Sequence, residues 1–146
     1  MTSPSTLPPE LLQAYRETHY KVFAQGINLE PFALQIGAAS SPLSGLHKHF
    51  GVDCSAFITA WNPWSKSLLD EENAARHDGL IRVVSNRSLR WLEGSGEHLS
   101  NQWPAERSML ILGLSLAAAK VLAEDCEQNA FVWSGVDAKP QLVSMR

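Results

Sequence analysis

Residues 54–61, CSAFITAW, form the most apolar extended stretch of the chain, and they decide the predicted fold. A continuously apolar strand is typical of a strand covered on both faces of its sheet, so we expect it to lie centrally. Asn62 and Pro63 end the strand. The longest predicted helix follows over residues 68–86, and its first turn is acidic, as the helix dipole favours.

Periodic patterns on both sides of this strand predict the remaining elements. Upstream, a helix precedes two strands that form a hairpin, and a second helix ends at Gly51, a residue suited to a helix C-terminus. Downstream, strands alternate with a polar loop, an Ala-rich helix and a turn. The upstream predictions are helix 10–18, strands 19–24 and 32–36, and helix 41–50. The downstream predictions are strand 89–92, loop 93–105, strand 109–112, helix 116–126, strand 130–133 and edge strand 141–145.

These elements predict a single α/β domain of the α+β type over residues 1–146, with residues 1–7 as a disordered N-terminal segment. We expect a mixed parallel and antiparallel sheet of five to seven strands with about four helices, arranged in two or three layers. The sequence leaves the strand order open.

Composition narrows the classes of function. Charged residues make up 18% of the chain and the formal net charge is −3, with no basic stripe, so a nucleic-acid partner is unlikely on this evidence. No stretch reaches the roughly 20 apolar residues of a membrane helix. The N-terminus lacks the pattern of a secretory signal, so Cys54 and Cys126 are interpreted as free thiols. We therefore expect a cytoplasmic protein that does not bind membranes.

The order of strands and helices predicts one functional edge of the sheet. A helix crossover normally makes the strands it joins parallel, whereas a strand that follows a loop runs back antiparallel. The strand ends and beginnings then meet at one edge, where ligands of α/β sheets often bind. The segments predicted to meet there are 62–65, 93–105, 106–107 and 128–129.

Two polar residues lie on the apolar stripe of the long helix. At about 100° per residue, Asn73 and Arg76 share the face of Leu69 and Leu80. Buried polar groups need partners, and Glu106 is the candidate counter-ion for Arg76. Two interpretations stay open: the pair belongs to a ligand site, or it simply ties the helix to a loop.

Five tryptophans are a high count for this length. Trp61, Trp64 and Trp103 lie at or beside the predicted edge, and Trp133 ends a strand next to it. Their rings suit stacking on a planar ligand, packing in the core, or anchoring a protein partner.

Four motifs in order carry a resemblance to a known family. They are residues 59–65 (TAWNPWS), 72–73 (EN), 103–108 (WPAERS) and 128–133 (QNAFVW). Together, from the helix of Tyr15 to the strand of Val143, the chain resembles the uncharacterised bacterial proteins of domain-of-unknown-function family 3293. The resemblance implies a small stand-alone bacterial protein but no activity, cofactor or partner. It marks the positions that match the family's polar motifs, which are Asn62, Asn73, Glu106, Gln128 and Asn129. The chain departs from the family at Cys126 and Glu127, where an aromatic residue and a glycine are more usual.

Recognisable catalytic motifs are missing from the sequence. There is no glycine-rich phosphate loop, no nucleophile elbow, and no cysteine or histidine spacing suited to a metal, so we predict neither a cofactor nor a metal. Two histidine dyads can be imagined: His77 with Glu72 or Asp78, and His98 near Glu97. A lone histidine in a polar loop is more often only solvated.

The leading hypothesis is a small-molecule site at the predicted edge, binding or modifying a polar planar ligand. Glu106 would act there as acid, base or anchor, and Arg76 would hold an anionic group. The predicted ligand-binding residues are Thr59, Asn62, Ser65, Asn73, Arg76, Trp103, Gln128 and Asn129. The alternative is a protein–protein interaction module in which these polar residues are structural. Whether the protein is an enzyme stays open.

Overall fold

A seven-stranded half-barrel sheet forms the centre of the computed structural model, which describes residues 7–23, 30–98, 100 and 104–145. The strands are β1 (Thr18–Phe23), β2 (Phe32–Leu34), β3 (Ser55–Ile58), β4 (Trp91–His98), β5 (Glu106–Leu112), β6 (Ala130–Ser134) and β7 (Gln141–Ser144). The helices are α1 (Pro9–Glu17), α2 (Ser41–Phe50), α3 (Asp70–Asn86) and α4 (Leu116–Asp125). Residues 1–6 of the predicted N-terminal segment lie outside the described part, and Leu7 is buried.

The strand order is β2-β1-β4-β5-β3-β6-β7, and every neighbouring pair is antiparallel. The prediction of a mixed sheet was therefore wrong, although the α+β class holds. The physical reason is that each helix crossover joins strands that are not neighbours in the sheet. β3 and β4 do run in the same direction, but β5 lies between them; likewise β3 lies between β5 and β6.

The central position of the first predicted strand is confirmed. All four residues of β3 are buried, and the strand is flanked by β5 and β6. One face of the sheet packs against Leu80 and Val84 of α3 and the small side chains of α4. The opposite face packs against α2 through Leu43 and Leu46. Helices thus cover both faces, and we call these the α3–α4 face and the α1–α2 face.

The fourth strand is longer than predicted. The sequence predicts a polar loop from residue 93, but β4 continues to His98 and pairs with β1 and β5. The glycines that suggest a loop have a packing role instead. A Cβ on Gly94 would lie 2.7 Å from the Phe57 ring and 2.9 Å from the Lys21 carbonyl oxygen, so only glycine fits there. β5 also begins earlier than predicted, which places Glu106 inside a strand.

The long helix begins as its acidic first turn predicts. The Leu69 N–H donates to the Glu72 carboxylate at 3.4 Å, which caps the N-terminus of α3. None of the helices in the described ranges is long and apolar enough to cross a membrane.

Candidate functional site

The structure brings three of the four predicted edge segments together, namely 62–65, 106–107 and 128–129. In the fourth, 93–105, residues 93–98 belong to β4, and residues 99 and 101–103 lie outside the described part. The end of β3, the beginning of β5 and the beginning of β6 lie at one edge, because β5 and β6 both run antiparallel to β3. Two contacts report this directly. The Asn62 side chain reaches Glu106 at 3.0 Å, and the Gln128 side chain reaches the Trp61 carbonyl oxygen at 3.2 Å.

Asn62 is the hub of this edge. Its Nδ2 donates to Glu106 Oε2, while its Oδ1 accepts from the Leu68 N–H at 3.1 Å and from Asn73 Nδ2 at 2.7 Å. Its own backbone N–H donates to Asn73 Oδ1 at 2.8 Å. Asn73 is 1% exposed, so the two amides form a closed pair that fixes the end of β3 to the start of α3.

Arg76 does not pair with Glu106, and this prediction was wrong. Its Nε donates to the Ala60 carbonyl oxygen at 2.8 Å, and its Nη2 donates to the Cys126 carbonyl oxygen at 2.7 Å. Its Nη1 lies 3.4 Å from Glu127 Oε1. The reason is the alternation of β5: Glu106 faces the α1–α2 side, whereas α3 packs on the other side. Arg76 therefore ties its helix to the turn before β6.

The backbone between β3 and α3 is strained. Asn62, Trp64 and Ser65 have φ values of 49°, 54° and 61°, a region that costs non-glycine residues about 1–3 kcal/mol each. Glu127 in the facing turn has a φ of 57°. The two turns hold each other: the Trp64 N–H donates to the Glu127 carbonyl oxygen at 2.6 Å, and its indole N–H donates to the Glu127 carboxylate at 3.0 Å. Strain of this kind is maintained where surrounding contacts over-determine the backbone.

A cavity of about 230 Å³ lies between α1 and the α1–α2 face of the sheet. Apolar and aromatic side chains form much of its wall, and polar groups of the edge open into it. The apolar lining includes Leu11, Ala14, Phe57, Ala130 and Val132. The polar lining comprises Tyr15, Thr18, Tyr20, Thr59, Asn62, Ser65, Ser67, His98, Glu106, Ser108 and Gln128. Concave, mostly apolar sites with few polar groups are typical of small-molecule binding.

Two oxygen atoms in this lining carry no hydrogen bond from the described residues. Asn62 holds Glu106 by Oε2, which leaves Oε1 without a donor. Gln128 spends its amide donors on the carbonyl oxygens of Trp61 and Cys126, which leaves its Oε1 without a partner. Both side chains are held in place by one end and present the other end to the cavity.

The environment of Glu106 also suits acid–base chemistry. Burial raises the pKa of its carboxyl to about 7, and the hydrogen bond from Asn62 opposes this rise. A carboxyl with a pKa near neutrality is both a competent acid and a competent base. Burial likewise raises the pKa of the Tyr15 phenol. A hydrogen bond with the Ser65 side chain lowers this pKa, and the charge of Glu106 raises it further.

The predicted site residues divide into two groups. Thr59, Asn62, Ser65, Glu106 and Gln128 line the cavity. Asn73, Arg76 and Asn129 do not line it. Asn129 donates to the Ser65 hydroxyl at 2.9 Å and so supports the strained turn. Trp103 lies outside the described residues.

Thr59 lines the cavity but is committed to the backbone. Its hydroxyl donates to the Arg107 carbonyl oxygen at 2.6 Å and accepts from the Trp61 N–H at 3.0 Å.

Sequence reasoning missed the contribution of α1. Leu11, Ala14 and Tyr15 recur at helical spacing, which places them on one face of α1 over the cavity, and Thr18 follows in the same register at the start of β1. The hydroxyls within this otherwise apolar stripe are the signal that could have pointed to a site.

The histidine dyads differ from those considered in the sequence. His98 Nε2 lies 2.9 Å from Glu17 Oε2, not beside Glu97, which pairs with Lys21. His77 Nε2 lies 3.1 Å from Glu93 Oε1, and neither Glu72 nor Asp78 forms that ion pair. No three His, Cys, Asp or Glu side chains of the described part are grouped so as to hold a metal ion.

The tryptophans that the structure describes are not positioned to stack on a ligand in the cavity. Trp61, Trp64 and Trp133 are half-buried and do not line it. The aromatic wall consists instead of Tyr15, Tyr20 and Phe57. Asn62, Asn73 and Arg76 are bonded to one another or to the backbone within the chain. Among the described residues, no tryptophan is fully exposed as the interaction-module alternative would require.

Fold and site together define an α+β protein with an all-antiparallel seven-stranded sheet and a small cavity beside its strained edge. The chain belongs to the family described as "Protein of unknown function (DUF3293)", whose model matches residues 58–131. The match covers just over half of the chain, a shorter span than the resemblance in the sequence suggests. It includes the Asn62 hub, Glu106 and Gln128 but not Tyr15. No curated protein and no solved structure matches the chain.

Proposed function

We propose that the cavity under α1 binds a small polar molecule and that Glu106 is the group that recognises it or exchanges a proton with it. The observation that carries this proposal is the pair of open oxygens, Glu106 Oε1 and Gln128 Oε1, facing an aromatic cavity. Thr59, Asn73 and Asn129, which lie at the same edge, are by contrast bonded to the protein itself. Open acceptors in a confined space are stabilised by a ligand that supplies donors.

The arrangement around Glu106 supports a built site. Asn62 holds one carboxylate oxygen in a fixed position, and Asn73 holds Asn62. Such support from behind is what keeps a recognising group in a productive geometry. The strained turn from Asn62 to Ser65 forms part of the same rim, and the contacts to Glu127 and Asn129 maintain it.

Gly96 offers a test that leaves every polar group intact. A Cβ at this position would meet only Thr18 Cγ2, at 3.8 Å, and the residue lies on β4 in the cavity wall. Gly96→Val should therefore fill part of the cavity while favouring the strand. We expect it to melt at or above the wild-type temperature and to lose the thermal shifts that members of a metabolite panel produce in wild type.

Ser95→Val is the matched control, because the preceding residue on the same strand faces the opposite side of the sheet. This variant should keep the ligand-induced shifts of wild type. Shifts that persist in Gly96→Val would place binding outside the cavity. A wild type that responds to no member of the panel would contradict small-molecule binding.

A further inference from the structure

The cavity holds one carboxyl group and no basic side chain from Lys or Arg among its described lining residues. Its remaining titratable groups are Tyr15 on α1, Tyr20 on β1, and His98 on β4. His98 faces a carboxylate of its own, since its Nε2 lies 2.9 Å from Glu17. Two arginines near this edge are bonded elsewhere: Arg76 to carbonyl oxygens and Glu127, and Arg107 to Glu93 at 3.1 Å. Arg16 and Lys66 adjoin lining residues in the sequence, but both are exposed and do not line the cavity.

Gln128 and Glu106 add acceptor oxygens to this lining. Gln128 presents a carbonyl oxygen because its N–H groups are used, and Glu106 in its ionised form presents only acceptors. Thr59 has no donor left, because its hydroxyl donates to the Arg107 carbonyl oxygen, and one of the two Nδ2 hydrogens of Asn62 is held by Glu106. The groups that Gln128 and ionised Glu106 present to the cavity are therefore acceptors, which a ligand with N–H donors satisfies.

The aromatic walls favour positive charge in the same place. Tyr20 and Phe57 pack edge to face with ring centroids 5.3 Å apart, and both line the cavity together with Tyr15. The faces of aromatic rings attract cations, more strongly where water is excluded. The acceptor oxygens and the aromatic lining thus favour the same chemistry.

We infer that the cavity selects a nitrogenous cation with N–H donors, such as an amidinium or a protonated amino-heterocycle, and rejects anions. This inference rests on the proposed function and replaces the sequence hypothesis that Arg76 holds an anionic group. When a cation binds, the Glu106 carboxyl gives up its proton and pairs with the ligand. Because the pKa of that carboxyl in the empty cavity is about 7, binding should release a proton near neutral pH.

Three one-ring probes of matched shape test the inference: benzamidinium, neutral benzamide and benzoate. Titration calorimetry on the full chain at pH 8 should show benzamidinium binding about tenfold or more tightly than benzamide, and no binding of benzoate. The affinity for benzamidinium should rise about tenfold from pH 6 to pH 8, as Glu106 ionises. Benzamide should show no such change.

Two variants separate the inference from the proposed function. Glu106→Gln should abolish the preference for benzamidinium over benzamide, whereas Gly96→Val should abolish binding of both. Wild type that binds benzamide or benzoate better than benzamidinium, with Gly96→Val binding neither, would overturn the cation inference and leave the cavity as a binding site. Benzamidinium binding that both variants retain would overturn the inference and place the probe elsewhere. Failure of benzamidinium to bind wild type at millimolar concentration would also overturn it.

Discussion

Two sets of polar residues meet at the same edge of the sheet, one on each face. The two sets differ in how completely they are hydrogen-bonded. On the α3–α4 face, Asn73 and Arg76 are bonded on every side to the backbone and to neighbouring side chains. On the α1–α2 face, Glu106 and Gln128 are each bonded at one end and open at the other. The chain is therefore able to bond buried polar groups completely at this edge. In the described part of the chain, the unbonded oxygens of Glu106 and Gln128 are a feature of the cavity alone.

The difference has an energetic meaning. A satisfied buried amide stabilises the fold, and cutting it leaves its partners unpaired. A buried carboxyl without a cation costs stability, and such costs are commonly found at functional sites. The two sets should therefore respond to mutation with opposite signs.

Asn73→Leu should have the largest effect. The change leaves the Asn62 backbone N–H and Oδ1 without their Asn73 partners in a buried setting, so we expect a loss of about 4 kcal/mol in the free energy of unfolding. Urea denaturation measures it. Ser85→Leu, the same kind of exchange at an exposed position of α3, should stay within about 0.5 kcal/mol of wild type. Equal stability of the two variants would contradict a structural role for Asn73.

Gly94→Ala should be the next most harmful change, and it tests the filled part of the α1–α2 face. The added Cβ would meet the Phe57 ring and, at 2.9 Å, a backbone oxygen that cannot move aside. Overpacking of this kind costs about 1–3 kcal/mol. Gly96→Ala on the same strand should cost less than about 0.5 kcal/mol, because open space lies above it. Similar melting temperatures for the two variants would show that β4 does not separate a filled region from an open one.

Glu106→Gln should stabilise the protein at high pH. The folded pKa is raised from 4.5 to about 7, so the carboxyl supports folding below pH 4.5 and that support is lost as the pH rises through 7. Removing the ionisable group should therefore raise the free energy of unfolding by about 2 kcal/mol at pH 8, after discounting for partial exposure. At pH 4.5 the variant and wild type should differ little. A difference that is the same at both pH values would exclude the raised pKa.

The helices and strands were largely predictable because their apolar periodicity is local. The strand over residues 54–61 and the helix of Asn73 follow directly from residue order, and the strand directions placed Asn62, Glu106 and Gln128 at one edge. What the sequence could not show is which strand lies next to which. Strand order depends on non-local packing, and so the all-antiparallel sheet was missed. The length of β4 was missed because a glycine such as Gly94 is typical of a loop. Only the structure shows that Gly94 packs against the ring of Phe57 within a strand.

The sequence predicted which edge of the sheet holds the site, but not which residues form it. The sequence indicated the polar residues of the edge but could not separate those that face α3 from those that face the cavity. The pairing of Arg76 with Glu106 was wrong for this reason, since one residue of register along β5 decides the face. The role of Tyr15 depends on α1 folding back across the sheet, a contact that no local pattern encodes.

His77 gives the smallest expected effect in this comparison of the two faces. Unlike Asn73 and Arg76, it lies on the α3–α4 face without a hydrogen bond in the described ranges. It is fully buried, and although Glu93 lies 3.1 Å away, neither ring nitrogen forms a hydrogen bond with the described residues. Burial lowers the pKa of His77 below 6.5, and the carboxylate of Glu93 opposes that shift. Below pH 6.5, His77 therefore binds a proton more readily in the unfolded chain than in the folded chain. The free energy of unfolding should fall as the pH drops below 6.5.

The measurement belongs in the Glu106→Gln background, because Glu106 gives the opposite slope over the same range of pH. There, His77→Leu should flatten the dependence of unfolding free energy on pH between 7 and 5, by less than any of the preceding effects. Some slope should remain, since burial also lowers the pKa of His47. The acidic groups with lowered pKa values, Glu17 and Glu97, act only below this window. An unchanged slope would mean that His77 is protonated as easily in the folded chain as in the unfolded one. His77 would then not be an unsatisfied titratable group, and the contrast between the α3–α4 face and the cavity would have no exception among the residues compared.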